Sequence, residues 1–192
     1  MSALVDGTAV RTVVHPSGNW TMLPDTGDPP IPERRLGTVQ WYVPFARVHP
    51  DTVSGAPTDA IWVDVSSSPT AYFGMLQEIW ARGETFALLE HDVVCRPDVI
   101  AAMESRLEPW VSFGYSDICH VECMEAWRDM LGCTRFRAEL LDAVPDAVSS
   151  IPAEGRDWHE LCNWLGGNLR AAGFSHAWGF PWVEHHHMGR HD

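Results

Sequence analysis

The stretch FALLEHDVVCRPDVI, residues 86–100, places two carboxylates and an imidazole directly after an apolar run. Residues 86–89 have the composition of a buried strand, and Glu90, His91 and Asp92 follow it at once. Charged groups are costly to bury unless they are paired or hold a metal ion. The triplet therefore predicts either a solvated strand end or a functional site.

The segments around the triplet alternate between strand and helix patterns. Residues 38–48 and 56–65 are rich in β-branched and aromatic side chains, which predicts strands, and the first should end at Pro44. Pro69 at a first helical position and Gly83 after a last turn predict a helix between them. The triplet should thus follow the third strand of an alternating series.

Further elements extend this alternation. Helices are expected from Pro97, at 121–131, at 134–143 and from Asp157 to Gly173, and strands at 85–91, 109–116 and 176–187. The pattern predicts an α/β fold, a three-layer α/β/α sandwich with a mainly parallel central sheet. In such sheets ligands bind beyond the carboxyl ends of the strands, where the triplet 90–92 falls. Its position favours a site over a solvated strand end.

Length and composition bound the class of protein. The 192 residues suit one domain, 36–192, after an N-terminal extension, 1–35, that holds one candidate strand and a Pro-rich connector. A formal charge of −13 argues against broad, non-specific binding to nucleic acid or anionic membranes. No stretch approaches the ~20 apolar residues of a membrane span. Five cysteines without a disulfide-framework spacing favour reduced thiols, so we expect a cytoplasmic protein.

Several motifs, taken in order, resemble those of nucleotide-sugar glycosyltransferases with the GT-A fold, in particular family 2-like enzymes. VQWYVPFAR (39–47) is similar to the first strand of that fold, and AIWVDVSSS (60–68) to the second. LLEHDVVCRPDVI (88–100) looks like the strand that carries the Asp-x-Asp metal motif. Three later segments are also similar to family segments: LGCTRFRAELLDAV, DWHELCNWLGGNLRAAGF and PWVEHHH.

The resemblance implies a compact, Rossmann-like catalytic domain over 36–192. Its activity would be metal-dependent transfer of a sugar, of the hexosyltransferase type, from a nucleoside diphosphate sugar such as a UDP-sugar. The acceptor would be a hydroxyl group on a glycan, a protein or a modified nucleobase, and the anomeric configuration would be inverted.

The resemblance also implies a divalent cation, Mn²⁺ or Mg²⁺, which neutralises the diphosphate leaving group. Asp92 would bind this cation directly, and Glu90 directly or through a water molecule. A histidine of the tail would complete the ligands. Alternation along a strand places His185 and His187 on one face and His186 on the other, so either of the first two is expected.

The family's remaining roles transfer to residues at the strand ends and at the start of the last helix. Four residues are expected to contact the nucleotide sugar: Pro44, Arg47, Asp64 and His91. The catalytic base that takes the proton of the acceptor hydroxyl would be Asp157 or Glu160. Asp-x-x-Glu is also a helix-capping pattern, so these two residues have a structural role to play in either case.

Two alternatives compete with the transferase. A non-catalytic α/β binding module could be stabilised by zinc held by cysteines and histidines of the second half: Cys119, His120, Cys123, Cys133, His159 and Cys162. A metal-dependent hydrolase of sugar nucleotides could use Asp92, His185 and His187, with no acceptor. The sequence also departs from Asp-x-Asp, because Glu-His-Asp lengthens one of the two carboxylate arms.

Overall fold

The computed structural model describes residues 39–115 and 131–186, together with the backbone of three N-terminal strands. These are β1 (Ser2–Val5), β2 (Thr8–Val14) and β3 (Trp20–Pro24), which pair antiparallel in the order β1-β2-β3. One strand was expected in this extension, around residues 9–15, and β2 covers most of it.

Seven strands form the main sheet, in the order β5-β4-β6-β9-β8-β10-β7. In chain order they are β4 (Gln40–Phe45), β5 (Ile61–Asp64), β6 (Phe86–Leu89), β7 (Val93–Val94), β8 (Trp110–Tyr115), β9 (Cys133–Phe136) and β10 (Ala177–His185). Within residues 39–115 and 131–186, five α-helices accompany them: α1 (Pro50–Gly55), α2 (Ala71–Trp80), α3 (Pro97–Ser105), α4 (Ala138–Ala143) and α5 (Trp158–Ala171).

The α/β class is confirmed, but the sheet is mixed rather than mainly parallel. Three strand pairs are parallel (β4–β5, β4–β6 and β8–β10), and three are antiparallel (β6–β9, β8–β9 and β7–β10). The difference comes mainly from β9, which was expected to belong to a helix at 134–143. All four residues of β9 are buried although two adjacent ones, Thr134 and Arg135, are polar, so the segment lacks the alternation by which a half-exposed strand is recognised.

The helix boundaries follow the expected punctuation with small shifts. Pro97 is the first residue of α3, and α5 passes without a break through two glycines that were expected to weaken it. Helix α2 begins at Ala71, two residues after Pro69, and Gly83 follows it with a φ of 66°. The helix expected at 121–131 lies, except for its last residue, outside the described residues. Among the described helices, none has the length and apolarity needed to cross a bilayer.

Buried aromatic rings fill the space between the sheet and the helices. The ring centroids of Trp80 and Phe86 each lie 5.3 Å from the ring centroid of Phe136. Trp41 and Trp110 are also fully buried. These side chains remove large apolar areas from water, which fixes the strands that carry the candidate site.

The crossing from β6 to β7 curls the sheet. These strands are third and seventh in the sheet order, yet only residues 90–92 separate them along the chain. Four residue steps reach about 14 Å at most, whereas four strand spacings in a flat sheet would require about 19 Å. The sheet therefore bends until β7 meets the end of β10, where Val93 pairs with His185. The Glu-His-Asp triplet is the bridge across this bend.

Candidate functional site

The triplet 90–92 is fixed through its backbone to three separate segments of the chain. Each of its residues makes one such hydrogen bond: the Glu90 N–H donates to Gly132 O (2.8 Å), the His49 N–H donates to His91 O (2.9 Å), and the His186 N–H donates to Asp92 O (2.8 Å). A fourth bond, from the Val93 N–H to Glu90 O (3.1 Å), closes the turn. The side chains of the triplet are therefore presented from a rigid frame.

Asp92 and His185 meet at this edge of the sheet. The Nε2 atom of His185 lies 3.4 Å from Oδ2 of Asp92, and only 13% and 16% of the two side chains are exposed. Burial acts to raise the pKa of Asp92, but interaction with His185 and the charge of His91 outweigh it and lower that pKa. Asp92 is therefore a carboxylate at neutral pH.

The distance between Asp92 and His185 suits two ligands of one cation. It is longer than the ~2.7–2.9 Å of a strong charge-assisted hydrogen bond. Two atoms that bind one cation at about 2.1 Å, with an angle of 90–110° between the bonds, lie about 3.0–3.5 Å apart. The ring of Tyr115 stacks on that of His185, with centroids 4.3 Å apart and planes 9° from parallel, and holds the imidazole in this orientation.

Glu90 is the second carboxylate of the triplet, and its charge interacts with those of Asp92 and His185. Burial and the negative charge of Asp92 raise the pKa of Glu90 to about 7, although the Tyr72 hydroxyl and His185 act to lower it. Tyr72 is itself buried, and its pKa is raised by burial and by Glu90. Two carboxylates that repel each other in a partly dry environment are a favourable setting for a divalent cation, whose charge offsets both.

Helix α5 approaches the triplet through Trp158. The Trp158 ring meets that of His91 edge to face, with centroids 5.2 Å apart, and lies 4.7 Å from that of Tyr72. Asp157, the residue before it, is half-buried, and its carbonyl accepts the amide hydrogen of Leu161 at the start of the helix. Of the two expected bases, Asp157 is therefore the sequence neighbour of the residue that contacts His91, whereas Glu160 is exposed to solvent.

The four residues expected to contact the nucleotide sugar have different surroundings. Arg47 and Asp64 are exposed where β4 and β5 end, and Oδ1 of Asp64 accepts the Ser66 amide hydrogen at 2.9 Å. Pro44 is buried within β4, and His91 is only 6% exposed beneath Trp158. Strands β5 and β6 flank β4, so Asp64 lies about two strand spacings, or ~10 Å, from the triplet. Of the four, Arg47 and Asp64 are the polar groups open to a ligand.

A further cluster was not expected from the sequence. Ligand atoms of His49, Asp51 and His186 lie within 4.8 Å of one another. The segment VHPDT does carry a helix-start signal, because Pro50 stands between two polar residues. Helix α1 has only six residues, however, which is too short for a periodic pattern to predict it. His186 points away from His185, as strand alternation predicts. His187 lies outside the described residues.

The residues of the zinc alternative are only partly described. Cys119, His120 and Cys123 lie outside the described residues, as does the side chain of His159. Cys133 is buried, and hydrogen bonding to Cys95, together with burial, raises its pKa well above the ordinary value. A thiol in that state is a small apolar group rather than a metal ligand.

The structure thus places Asp92 and His185 3.4 Å apart, with Glu90 near enough for its charge to interact with both, and places Asp157 next to the ring that covers His91. Arg47 and Asp64 lie along the same edge of the sheet. Comparison of the chain with protein-family models, with curated proteins and with solved structures finds no match in any of the three.

Proposed function

We propose that the chain is a metal-dependent glycosyltransferase that moves a sugar from a nucleoside diphosphate sugar to a hydroxyl acceptor. The observation that carries the proposal is the meeting of Asp92 and His185, 3.4 Å apart, beside the Glu90 carboxylate. One fold can serve many activities, so the proposal depends on these side chains and not on the α/β class of the fold.

The location of the site supports the proposal. Strands β5, β4 and β6 are parallel neighbours and end at the same edge of the sheet. The chain places β5 on one side of β4 and then crosses to place β6 on the other. Ligands of open α/β sheets bind at such a reversal, beyond the carboxyl ends of the strands. Asp64 is the last residue of β5, and Arg47 and the triplet follow β4 and β6, which end at the same edge.

The donor set suits a hard or borderline divalent cation. Asp92, His185 and Glu90 would hold it, and the imidazole nitrogen favours Mn²⁺ over Mg²⁺. When bound, the cation supplies positive charge to a diphosphate leaving group.

The chain's own residues would perform the remaining steps. Tyr115 keeps His185 in place by stacking on it. Arg47 supplies a positive charge for a phosphate oxygen, and Asp64 accepts hydrogen bonds from the ribose hydroxyls or the base. Asp157 takes the proton from the acceptor hydroxyl as that oxygen attacks the anomeric carbon. Attack in a single step, on the face opposite the leaving group, inverts the configuration of that carbon.

Binding of donor sugars tests the proposal directly. Metal-free protein is titrated with UDP-, GDP- and dTDP-sugars, with and without Mn²⁺, by calorimetry. One donor class should bind only with Mn²⁺, and Asp92→Asn should weaken that binding by at least about tenfold while the protein stays folded. Asp59→Asn, which changes an exposed aspartate outside the site, is the matched control.

The products separate the proposal from its alternatives. Mass spectrometry of acceptor mixtures should show a sugar added to a glycan, a protein or a nucleobase. If free sugar is released at the same rate with and without acceptors, the protein is a sugar-nucleotide hydrolase and not a transferase. If the purified protein holds zinc tightly and binds no donor sugar, it is the zinc-stabilised binding module. If the parent and Asp92→Asn bind the donor equally well, the assignment of Asp92 to the donor site is wrong.

A further inference from the structure

Behind the candidate site, two imidazoles and two carboxylates gather on the other side of the end of β10. His49 precedes α1 and Asp51 lies in its first turn, whereas Glu184 is the second-last residue of β10 and His186 directly follows the strand. The imidazole rings of His49 and His186 are stacked, with centroids 3.8 Å apart and planes 11° from parallel. None of these four side chains takes part in the reaction proposed above.

The ligand atoms have the separations of a cation site. Nε2 of His186 lies 3.6 Å from Oδ2 of Asp51 and 3.4 Å from Oε1 of Glu184. Nδ1 of His49 lies 3.7 Å from the same Asp51 oxygen. Ligands at about 2.0–2.2 Å from a tetrahedral cation are about 3.3–3.6 Å apart, so these distances are close to those of a site, and the two stacked rings would turn apart to direct both nitrogens at one centre.

The nitrogen atoms of the cluster are suited to bind a cation. Nε2 of His186 is buried and makes no hydrogen bond, although two carboxylates lie nearby. Nδ1 of His49 accepts the Asp51 amide hydrogen at 3.3 Å, a long hydrogen bond that would be given up when the same lone pair binds a cation. The carboxylates of Asp51 and Glu184 are each 62% exposed, which leaves an open path for an ion from solvent.

We infer that His49, Asp51, Glu184 and His186 form a second cation site, distinct from the candidate donor site, that binds Zn²⁺ or a similar late transition metal. Two imidazoles with two carboxylate oxygens are a tetrahedral zinc set, whereas two carboxylates with one imidazole suit Mn²⁺. The inference does not depend on the proposed function.

A cation at this position would join the start of α1 to the end of β10. The same two segments bind the backbone of the triplet, since the His49 N–H donates to His91 O and the His186 N–H donates to Asp92 O. Occupancy of the second site should therefore hold the triplet and His185 in place, and the two sites should favour each other's occupancy.

Zinc binding is best measured in an Asp92→Asn background, which removes the candidate donor site. Metal-free protein is titrated with ZnCl₂ against a chromophoric chelator. One zinc should bind per chain, and Asp51→Asn should weaken it by at least about 100-fold, beyond the cost of losing an outer partner of a ligand. His49→Asn should have a similar effect while keeping an N-cap acceptor for α1. Asp59→Asn should change nothing.

Co²⁺ provides a second readout that does not depend on affinity. Cobalt in the Asp92→Asn protein should show the intense visible absorption of a tetrahedral centre, and His49→Asn or Asp51→Asn should abolish it. The adjacent imidazoles of residues 185–187 can bind zinc by themselves. The substitutions at the start of α1, His49→Asn and Asp51→Asn, therefore test whether the zinc is bound at the proposed second site. Unchanged zinc affinity or cobalt absorption in both variants would overturn the inference, as would loss of zinc binding through Asp92→Asn alone.

Discussion

Tyr115 and His185 lie ring against ring, with centroids 4.3 Å apart and planes 9° from parallel. They belong to the parallel neighbours β8 and β10, and Tyr115 pairs with Val183 along the strands. The Tyr115 hydroxyl packs against Gly132, whose carbonyl oxygen accepts the amide hydrogen of Glu90. One glycine thus supports both the ring that orients His185 and the backbone that presents Glu90.

Replacement of this glycine should disturb both. A Cβ atom on residue 132 would lie 1.7 Å from the Tyr115 hydroxyl oxygen and 2.7 Å from its Cζ, and the rigid ring has to move. We expect Gly132→Ala to lower the free energy of unfolding by about 2–3 kcal/mol, as overpacking does. Because Tyr115 would leave His185, Mn²⁺ binding should weaken as well. Denaturant unfolding and metal titration measure the two effects.

Gly167→Ala is the matched control for that change. Gly167 lies within α5, and no heavy atom outside its own helix backbone lies within 4 Å of an added Cβ. The substitution should leave metal binding unchanged and stabilise the fold by up to ~1 kcal/mol, because alanine favours a helix over glycine. If Gly132→Ala behaved like Gly167→Ala, the packing described for Tyr115 would be wrong.

The stacking on His185 can be tested without disturbing the glycine. Tyr115→Leu removes the flat ring and should free the imidazole to rotate, which should weaken Mn²⁺ binding by about tenfold, the lower end of the cost of losing an outer support. Tyr115→Phe keeps the ring and should bind Mn²⁺ like the parent. Equal weakening in both variants would assign the effect to the hydroxyl group instead.

The Glu90 carboxyl should make the metal-free protein less stable as pH rises. Its pKa is raised from 4.5 to about 7 in the folded protein, so between these values the folded state holds a proton that the unfolded chain has lost. Stability from this group is therefore full below about pH 4.5 and is lost as pH rises towards 7. The side chain is partly accessible, so we expect a loss of about 1–2 kcal/mol.

Glu90→Gln isolates this contribution. The variant should lack that part of the fall in stability between pH 5 and pH 8, as measured by urea unfolding in a chelator, since glutamine does not titrate. Added Mn²⁺ should raise the stability of the parent more at pH 8 than at pH 5, because the ionised carboxylate is the ligand. Parallel pH profiles for parent and variant would show that Glu90 does not carry the shift.

Asp157 is expected to act in the chemical step and not in donor binding. Asp157→Asn should lower kcat for sugar transfer by a factor of about 10²–10⁴, the usual range for a general base, while the Kd of the donor with Mn²⁺ stays the same. Glu160→Gln, a change to an exposed residue one turn further along, should leave kcat near that of the parent. The opposite result would assign the base to Glu160.

The sequence allowed correct prediction of elements whose ends carry strong local signals. Pro97 begins α3, and strands 40–45, 61–64 and 110–115 lie within expected segments, because apolar runs bounded by turn residues form buried strands. The sequence-based prediction missed α1 and β7, which are too short for any periodicity to be read. It also assigned β9 to a helix, since burial on both faces removes the alternation of a half-exposed strand.

The candidate site was predictable in part for a similar reason. Strand alternation separated His185 from His186, and the carboxyl end of β6 located Glu90 and Asp92. The proximity of Asp92 to His185 depends on the curl of the sheet, which no local pattern encodes. His49 and Asp51 were missed because their contact with His186 joins the start of α1 to the residue after β10, and such non-local contacts leave no local pattern in a single sequence.

The late position of β10 in the chain has a consequence for biosynthesis. His185, which faces Asp92, and the strand that pairs with both β8 and β7 are translated after the rest of the sheet. A nascent chain that has emerged as far as α5 can form much of the apolar interior, yet it holds only the two carboxylates of the triplet. Cation binding should therefore begin only when residue 185 has left the ribosome and β10 has joined the sheet.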